Sequence, residues 1–333
     1  MLLSVIVTVR NEILHISRSF ASIIISTSLI ESEIFFVDGK SNDGTYEWLK
    51  EAVKKYKNCK LRVNPEKFVS FGFNSVFHET KGKYISRLDG HTIYPETYFS
   101  NALDVLKNQE ADVVGGPANH IGLSWRGMSI ANCMMTPFGV GNSKFRISTK
   151  ETYVDTVPFP IYKRSVLDGV GLYDEELIKN QDDELNYRCI AQGYKILMSP
   201  RLTTDYMVRE NLIDLWKQYF LYGFYKPIVF KKVNYGSRLY HFLPAIHSFL
   251  SIMTIVLCYS NPYYLFYFFS YLLFDLIFSI KVSTTFKHIL YCIFVFPCIH
   301  YSYGLGFIKG YFIRLHMYLK YFFRKNHNKE IQF

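Results

Sequence analysis

Lys83-Tyr84-Ile85-Ser86-Arg87-Leu88-Asp89-Gly90-His91-Thr92 is the stretch on which the reading of the whole chain depends. Its first four residues are a short β-rich run, so Asp89 is expected where a strand ends. An acid and an imidazole separated by one residue, at a strand end, can hold a divalent cation and a sugar phosphate. The six residues from Arg87 also read as a strand closing in a polar turn, because Asp-Gly is a common turn dipeptide. The neighbouring segments decide between the two.

Upstream, Val5-Ile6-Val7-Thr8-Val9 is a continuous β-branched run, the pattern of a strand buried on both faces. Arg10-Asn11-Glu12 breaks it, and a helix is expected through Ser26. Ile34-Phe35-Phe36-Val37 is the next strand, ending at Asp38-Gly39. Ser41-Asn42-Asp43-Gly44 is a turn, and Thr45 opens a helix with Trp48, Leu49, Ala52 and Val53 on one face. Leu61-Arg62-Val63 is a third strand, Ser70 to Glu79 a helix, and then comes the strand into Asp89. A helix from Pro95 to Gln109 and a fifth strand, Asp112-Val113-Val114-Gly115, complete the series. This alternation predicts a mainly parallel sheet covered by helices. Ligands of such sheets bind beyond the carboxyl ends of the strands, where Asp38 and Asp89 both fall.

No GxxxxGK[ST] occurs, and no GxGxxG follows the first strand, which argues against a P-loop NTPase and a dinucleotide fold. A sheet without a glycine cradle needs another way to neutralise phosphate, and a metal near Asp89 and His91 would supply it.

Residues 116–160 are rich in Gly, Asn, Ser and Pro and read as a long irregular loop. A helix near Lys163 to Leu167 precedes Gln181-Asp182-Asp183-Glu184-Leu185-Asn186-Tyr187-Arg188, whose acids are also ordinary first-turn residues favoured by the helix dipole. Tyr194 to Met198 returns as a strand. Asn211 to Phe230, aromatic and basic, reads as a helix lying at a membrane surface rather than an ordinary amphipathic core helix.

From His241 to Ile308 the chain is nearly all apolar and aromatic. Phe242 to Ser260 and Pro262 to Ile280 are each long enough to span, given the roughly 20 residues required. The uncharged Asn261-Pro262 turn makes them a hairpin. Lys226, Lys231, Lys232 and Arg238 on one flank and Lys281 and Lys287 on the other place both ends in the cytosol by the positive-inside rule. A third full crossing by His288 to Ile308 would put Lys309, Arg314, Lys320, Arg324, Lys325 and Lys329 outside. That segment, broken by Pro297, is therefore expected to be re-entrant or interfacial. Asp275 lies inside the second span, where a charge is costly; it is either functional or a helix-packing residue.

The formal net charge of +10 suits an anionic membrane surface or an anionic substrate, and by itself does not indicate nucleic acid. The 6 cysteines, Cys59, Cys133, Cys189, Cys258, Cys292 and Cys298, form no CxxC pair and read as reduced, buried thiols, with neither a zinc site nor a disulfide framework. No basic n-region precedes Leu2 to Val9, so this run reads as a first strand and not a signal peptide, and the soluble part is expected in the cytosol.

Together these segments resemble the family 2 glycosyltransferases of GT-A fold, in particular the membrane-associated exopolysaccharide type of succinoglycan synthesis. The resemblance covers about Ser4 to Gly310. Ser4-Val-Ile-Val-Thr-Val-Arg-Asn-Glu matches the family's first strand and turn and puts Thr8, Arg10 and Glu12 on the donor side. Val37-Asp38-Gly39-Lys40-Ser41-Asn42-Asp43-Gly44-Thr45 matches the nucleotide-binding segment, so Asp38 is similar to the acid that contacts the base. Leu88-Asp89-Gly90-His91 stands where the family usually has Asp-x-Asp; Asp89 would face the ribose or phosphate and, with His91 in place of the second Asp, hold the metal. Gln181-Asp182-Asp183-Glu184-Leu185-x-x-Arg188 resembles Glu-Asp-x-Asp/Glu-Leu-x-x-Arg, which makes Asp182 the catalytic base and puts Asp183, Glu184 and Arg188 around it on the acceptor side. Ser302-Tyr303-Gly304-Leu305-Gly306 also looks like the exopolysaccharide subgroup. Gln181 and His91 depart from the pattern. The Gln-x-x-Arg-Trp motif of processive synthases is absent, Trp216-Lys217-Gln218-Tyr219 being a loose echo.

The resemblance implies an α/β GT-A nucleotide-sugar-binding domain over 1–210, interfacial helices over 211–240, membrane-embedded segments over 241–310 and a basic tail over 311–333. It implies an inverting transferase in the cytoplasmic membrane, multi-pass, with its catalytic domain facing the cytosol. One sugar would pass from a nucleotide sugar, by family expectation a UDP-sugar, to a polyprenyl-linked glycan, with membrane lipid and no nucleic acid as partners. The cofactor would be Mg²⁺ or Mn²⁺; imidazole suits Mn²⁺ better than the harder Mg²⁺. A polyprenyl-phosphate sugar transferase and a degenerate membrane scaffold are the alternatives. Asp182 and Asp183, adjacent at a helix start, point about 100° apart, so only one can face the acceptor. The motif register selects Asp182, and Gln181 beside it removes a charge that would have raised its pKa.

Overall fold

The structure, a computed structural model, describes residues 1–141 and 150–330, with side chains as far as residue 313. It comprises two compact units, Met1–Ile121 with Asn142–Val208 and Gly122–Gly141 with Arg209–Phe333. The segment 122–141 thus groups with the apolar half.

The strands of the first unit are β1 (Leu3–Val9), β2 (Ser32–Asp38), β3 (Cys59–Val63), β4 (Tyr84–Asp89), β5 (Thr92–Ile93), β6 (Val113–Gly115), β7 (Ala118–Ile121), β8 (Thr152–Tyr153), β9 (Ile161–Lys163), β10 (Ile196–Met198) and β11 (Thr204–Met207). Helices α1 (Ile16–Thr27), α2 (Thr45–Val53), α3 (Val69–Phe77) and α4 (Tyr98–Asn108) alternate with the early strands. The main sheet has the order β3-β2-β1-β4-β9-β6-β10-β8. Its first four strands are parallel, and β1, with all seven residues buried, is covered on both faces as its β-branched run requires. One apolar cluster on Val5, Val7, Phe36 and Leu88 packs against α1 and α4; the other, on Ile6, Phe35, Val37 and Ile85, packs against α3.

The second half of the sheet departs from the mainly parallel expectation. β9 runs antiparallel to both β4 and β6, and β8 antiparallel to β10. β9 is three residues long and follows Pro158 and Pro160, so the sequence around it shows turn signals instead of a strand period. The described residues of 116–160 are not the irregular loop expected either. β7 joins β5 and β11 in a separate three-stranded sheet, and α5 (Trp125–Met134) and α6 (Pro137–Val140) follow it. Residues 142–149 lie outside the described residues. Two helices complete the first unit, α7 (Arg164–Val170) and α8 (Gln181–Ala191).

The second unit contains α5, α6, α9 (Leu212–Val233), α10 (Leu239–Leu257), α11 (Leu265–Val282) and α12 (Phe286–Glu330). Three of its segments, Leu239–Leu257, Pro262–Val282 and Phe286–Ile313, are long and apolar enough to cross a membrane. α12 continues through Pro297, so the break expected there is absent. A proline inside a helix removes one backbone bond, a loss that packing on both sides can absorb, and Phe296 and Cys298 are buried here. The basic side chains expected from Arg314 onward lie beyond those described.

Candidate active site

All the candidate residues lie in the first unit. β1 lies between β2 and β4, and its register sets Thr8 opposite Asp89 and Val9 opposite Asp38. Thr8, Asp38 and Asp89 therefore share the carboxyl edge of the sheet. The turn after β4 lies so close to β1 that a Cβ at Gly90 would sit 2.5 Å from the Val9 Cγ1 atom, which accounts for glycine in Asp-Gly-His.

Asp38 is 1% exposed. Its carboxylate accepts from the Ser41 backbone N–H at 2.9 Å and the Ser41 hydroxyl at 2.6 Å, holding the turn into the Ser-Asn-Asp-Gly segment. The Asn11 backbone N–H donates to Ser41 Oγ, the Asn42 N–H donates to Asn11 Oδ1, and the Glu12 N–H donates to Thr45 Oγ1 at the start of α2. The loop carrying Arg10 and Glu12 is thereby tied to the turn carrying Asp38. Arg10 is exposed, and Thr8 Oγ1 is buried with no hydrogen-bond partner among the described residues.

The Asp89 backbone N–H donates to the Tyr94 hydroxyl at 3.2 Å, and its Oδ1 accepts from Arg87 Nη2 at 2.5 Å. His91 Nδ1 is 2.8 Å from Glu12 Oε1, and the imidazole meets the Tyr206 ring edge-on at 5.2 Å. A carboxylate on one ring nitrogen fixes the tautomer and orientation of an imidazole, the arrangement found behind metal-bound histidines. Among the described residues no group of three or more His, Cys, Asp or Glu is placed to hold a metal ion.

α8 brings the acidic run to the same place. Asp182 Oδ1 accepts from the Tyr173 hydroxyl at 2.8 Å, and Oδ2 lies 3.4 Å from Arg87 Nη1. The carboxylate is 30% exposed. Burial pushes its pKa up, the Arg87 guanidinium opposes the rise, Asp89 adds to it, the Tyr173 hydrogen bond lowers it and Asp183 raises it. The charge missing at Gln181 is thus only part of the balance. Asp183 points elsewhere and accepts from the Thr156 hydroxyl at 3.1 Å. Glu184, 3% exposed, takes Arg188 at 2.6 and 2.8 Å, and Arg188 also donates to the Val170 and Leu172 carbonyls. Glu184 and Arg188 therefore fasten α8 to the end of α7, away from the exposed edge of Asp182.

The residue missed in the sequence is Arg87. It is 4% exposed, and burial, which would lower its pKa, is outweighed by Asp182 and Asp89, so the guanidinium stays charged. A signal was present: residues two apart on a strand share a face, so a strand carrying Arg87 and Asp89 must present both to one side. Tyr173 and the Glu12–His91 pair were missed as well, because each joins segments with no common period.

Comparison with known proteins agrees with this architecture. The model of glycosyl transferase family 2 matches residues 4–171. Over 221 residues the chain is 27% identical to the succinoglycan biosynthesis protein ExoA of Rhizobium meliloti (strain 1021), covering 66% of this chain and 67% of that one. Over 293 residues it is 26% identical to the dolichyl N-acetyl-alpha-D-glucosaminyl phosphate 3-beta-D-2,3-diacetamido-2,3-dideoxy-beta-D-glucuronosyltransferase of Methanococcus voltae, covering 84% and 88%. Among solved structures, the mannosyltransferase PcManGT of Pyrobaculum calidifontis, in complex with GDP-Man and Mn²⁺, matches at a TM-score of 0.57 and 15% identity. That match covers 92% of this chain and 86% of that one, and is a likeness of fold alone. With a GT-A sheet carrying its acids at the carboxyl edge and three helices able to span a membrane, this chain belongs to glycosyl transferase family 2.

Proposed function

We propose that this transferase moves one sugar from a nucleotide sugar to a polyprenyl-linked saccharide, by a single displacement that inverts the anomeric centre. The observation that carries the reading is the line Asp89–Arg87–Asp182, which brings a donor-side acid and a partly exposed carboxylate onto one guanidinium. In such a displacement the acceptor oxygen bonds to the anomeric carbon, the bond to the diphosphate breaks, and the acceptor proton passes to a base. Asp182 suits the base: Tyr173 fixes one oxygen, and the other is held only at 3.4 Å. Thr8, Arg10, Glu12, Asp38 and Asp89 form the donor side in this reading. Asp38 can accept from the nucleobase with the lone pairs that Ser41 leaves.

Asp89 and His91 fit a divalent cation, Mg²⁺ or Mn²⁺, because Glu12 on Nδ1 orients the imidazole as a carboxylate does behind a metal-bound histidine. The bound ion would stabilise the charge of the leaving diphosphate. Two protein ligands, with phosphate and water completing the shell, is a common provision for such ions. The Methanococcus relative, whose name specifies a dolichyl-phosphate-linked sugar as acceptor, supports the lipid-linked acceptor. The apolar helices support a multi-pass enzyme of the cytoplasmic membrane, its first unit on the cytosolic side. A UDP-sugar is the first donor to test.

Purified protein in detergent, given UDP- and GDP-sugars with either bare polyprenyl phosphate or a polyprenyl-linked saccharide, tests the proposal. Transfer to the saccharide, with inverted configuration by NMR and loss on EDTA treatment, is expected. Transfer to bare lipid phosphate alone would instead make it a polyprenyl-phosphate sugar transferase, and activity undiminished by EDTA would remove the metal.

A further inference from the structure

We propose that Arg87 is a positioning residue that couples the two sides of the site, one guanidinium shared between the donor-side Asp89 and the base Asp182. The inference rests on the reading of Asp182 as base.

Arg87 lies within β4, and its side chain is 5% exposed. A buried arginine serving only as a fold staple satisfies its donors. Here Nε is buried with no hydrogen-bond partner among the described residues, while both terminal nitrogens are directed at carboxylates. The two contacts are unequal, 2.5 Å to Asp89 and 3.4 Å to Asp182. Two anions thus compete for one cation, and the nearer holds more of it. The consequence for Asp182 has a definite sign. Weakening the guanidinium leaves the carboxylate less stabilised, so it takes up its proton at higher pH. Among the described residues, the titratable groups that act on Asp182 are Arg87 and Asp89 from β4, Tyr173 from the loop before α8, Tyr162 from β9, and Asp183 from α8 itself. Of these, Arg87 alone is a cation.

The geometry also explains why lysine would not do. A single ammonium has no planar fork and cannot face two carboxylates along fixed directions. Arg87→Lys keeps the charge and loses the sharing.

The test uses the full-length protein in detergent and measures the pH profile of transfer with saturating acceptor, together with binding of UDP and Mn²⁺ by calorimetry. Arg87→Lys is expected to lower turnover at least about tenfold and to move the acid limb of the profile up by about one pH unit, while UDP affinity changes less than turnover. Wild-type turnover and an unmoved limb in Arg87→Lys would overturn the proposal. If Arg87→Lys does not fold, Arg87→Gln takes its place: a limb that does not rise refutes the coupling. Asp182→Asn separates this from the base assignment. An active Asp182→Asn defeats the base reading itself, whereas an inactive one beside a normal Arg87→Lys defeats only the role of Arg87.

Discussion

Replacing Asp182 by asparagine changes one atom and keeps the shape. The new amide oxygen still accepts from Tyr173 at the 2.8 Å position, so the side chain stays in place. Its nitrogen then faces Arg87 Nη1, donor against donor across 3.4 Å, and the guanidinium turns wholly to Asp89, to which it is already the shorter contact. The donor-side acid is therefore left paired, and nucleotide affinity should change by less than about threefold. Turnover loses the base, a factor on the order of 10²–10⁴, or about 2.7–5.4 kcal/mol at 1.36 kcal/mol per tenfold. Asp183→Asn is the control: its amide oxygen still accepts from Thr156, so turnover should stay within about threefold of wild type. The assay is initial transfer rate in detergent beside equilibrium UDP binding. If Asp183→Asn is the inactive variant and Asp182→Asn works, the register on α8 is wrong and the proposed site fails with it.

Further outcomes follow from other contacts. Glu12→Gln should weaken Mn²⁺ binding about 10–100-fold, read by metal titration, because the carboxylate behind His91 Nδ1 is lost. Arg188→Leu leaves the buried Glu184 without its partner and should cost about 3–5 kcal/mol, seen as a lower thermal midpoint of the folded enzyme. Gly306→Ala would place a Cβ 2.1 Å from the Phe220 carbonyl oxygen, where α12 meets α9, and should lower the thermal midpoint in detergent while leaving UDP affinity intact. A Gly306→Ala protein as stable as wild type would refute that close packing.

Local chemistry made much of this protein readable in advance. The β-branched run Val5–Val9 could only be a doubly covered strand, and it is buried throughout. Strand ends at Asp38 and Asp89, a helix opening at Gln181 and three apolar segments of spanning length all rest on periods and caps that need no knowledge of neighbours. What the tertiary structure alone decided is which local pieces meet. Arg87 and Asp182 are 95 positions apart, and His91 and Glu12 are 79 apart, so no window of sequence contains either pair. The antiparallel β9 entered the sheet on three residues, too few for an alternation to declare itself. α5, in a segment read as loop, packs with the apolar helices: Cys292 of α12 lies against the Ser129 carbonyl, and Lys287 of α12 lies 3.9 Å over the Trp125 ring. Pro297 carries a local signal for a break, yet α12 continues through it. A helix interior is set by local preference and by burial together, and burial is a property of the assembled chain.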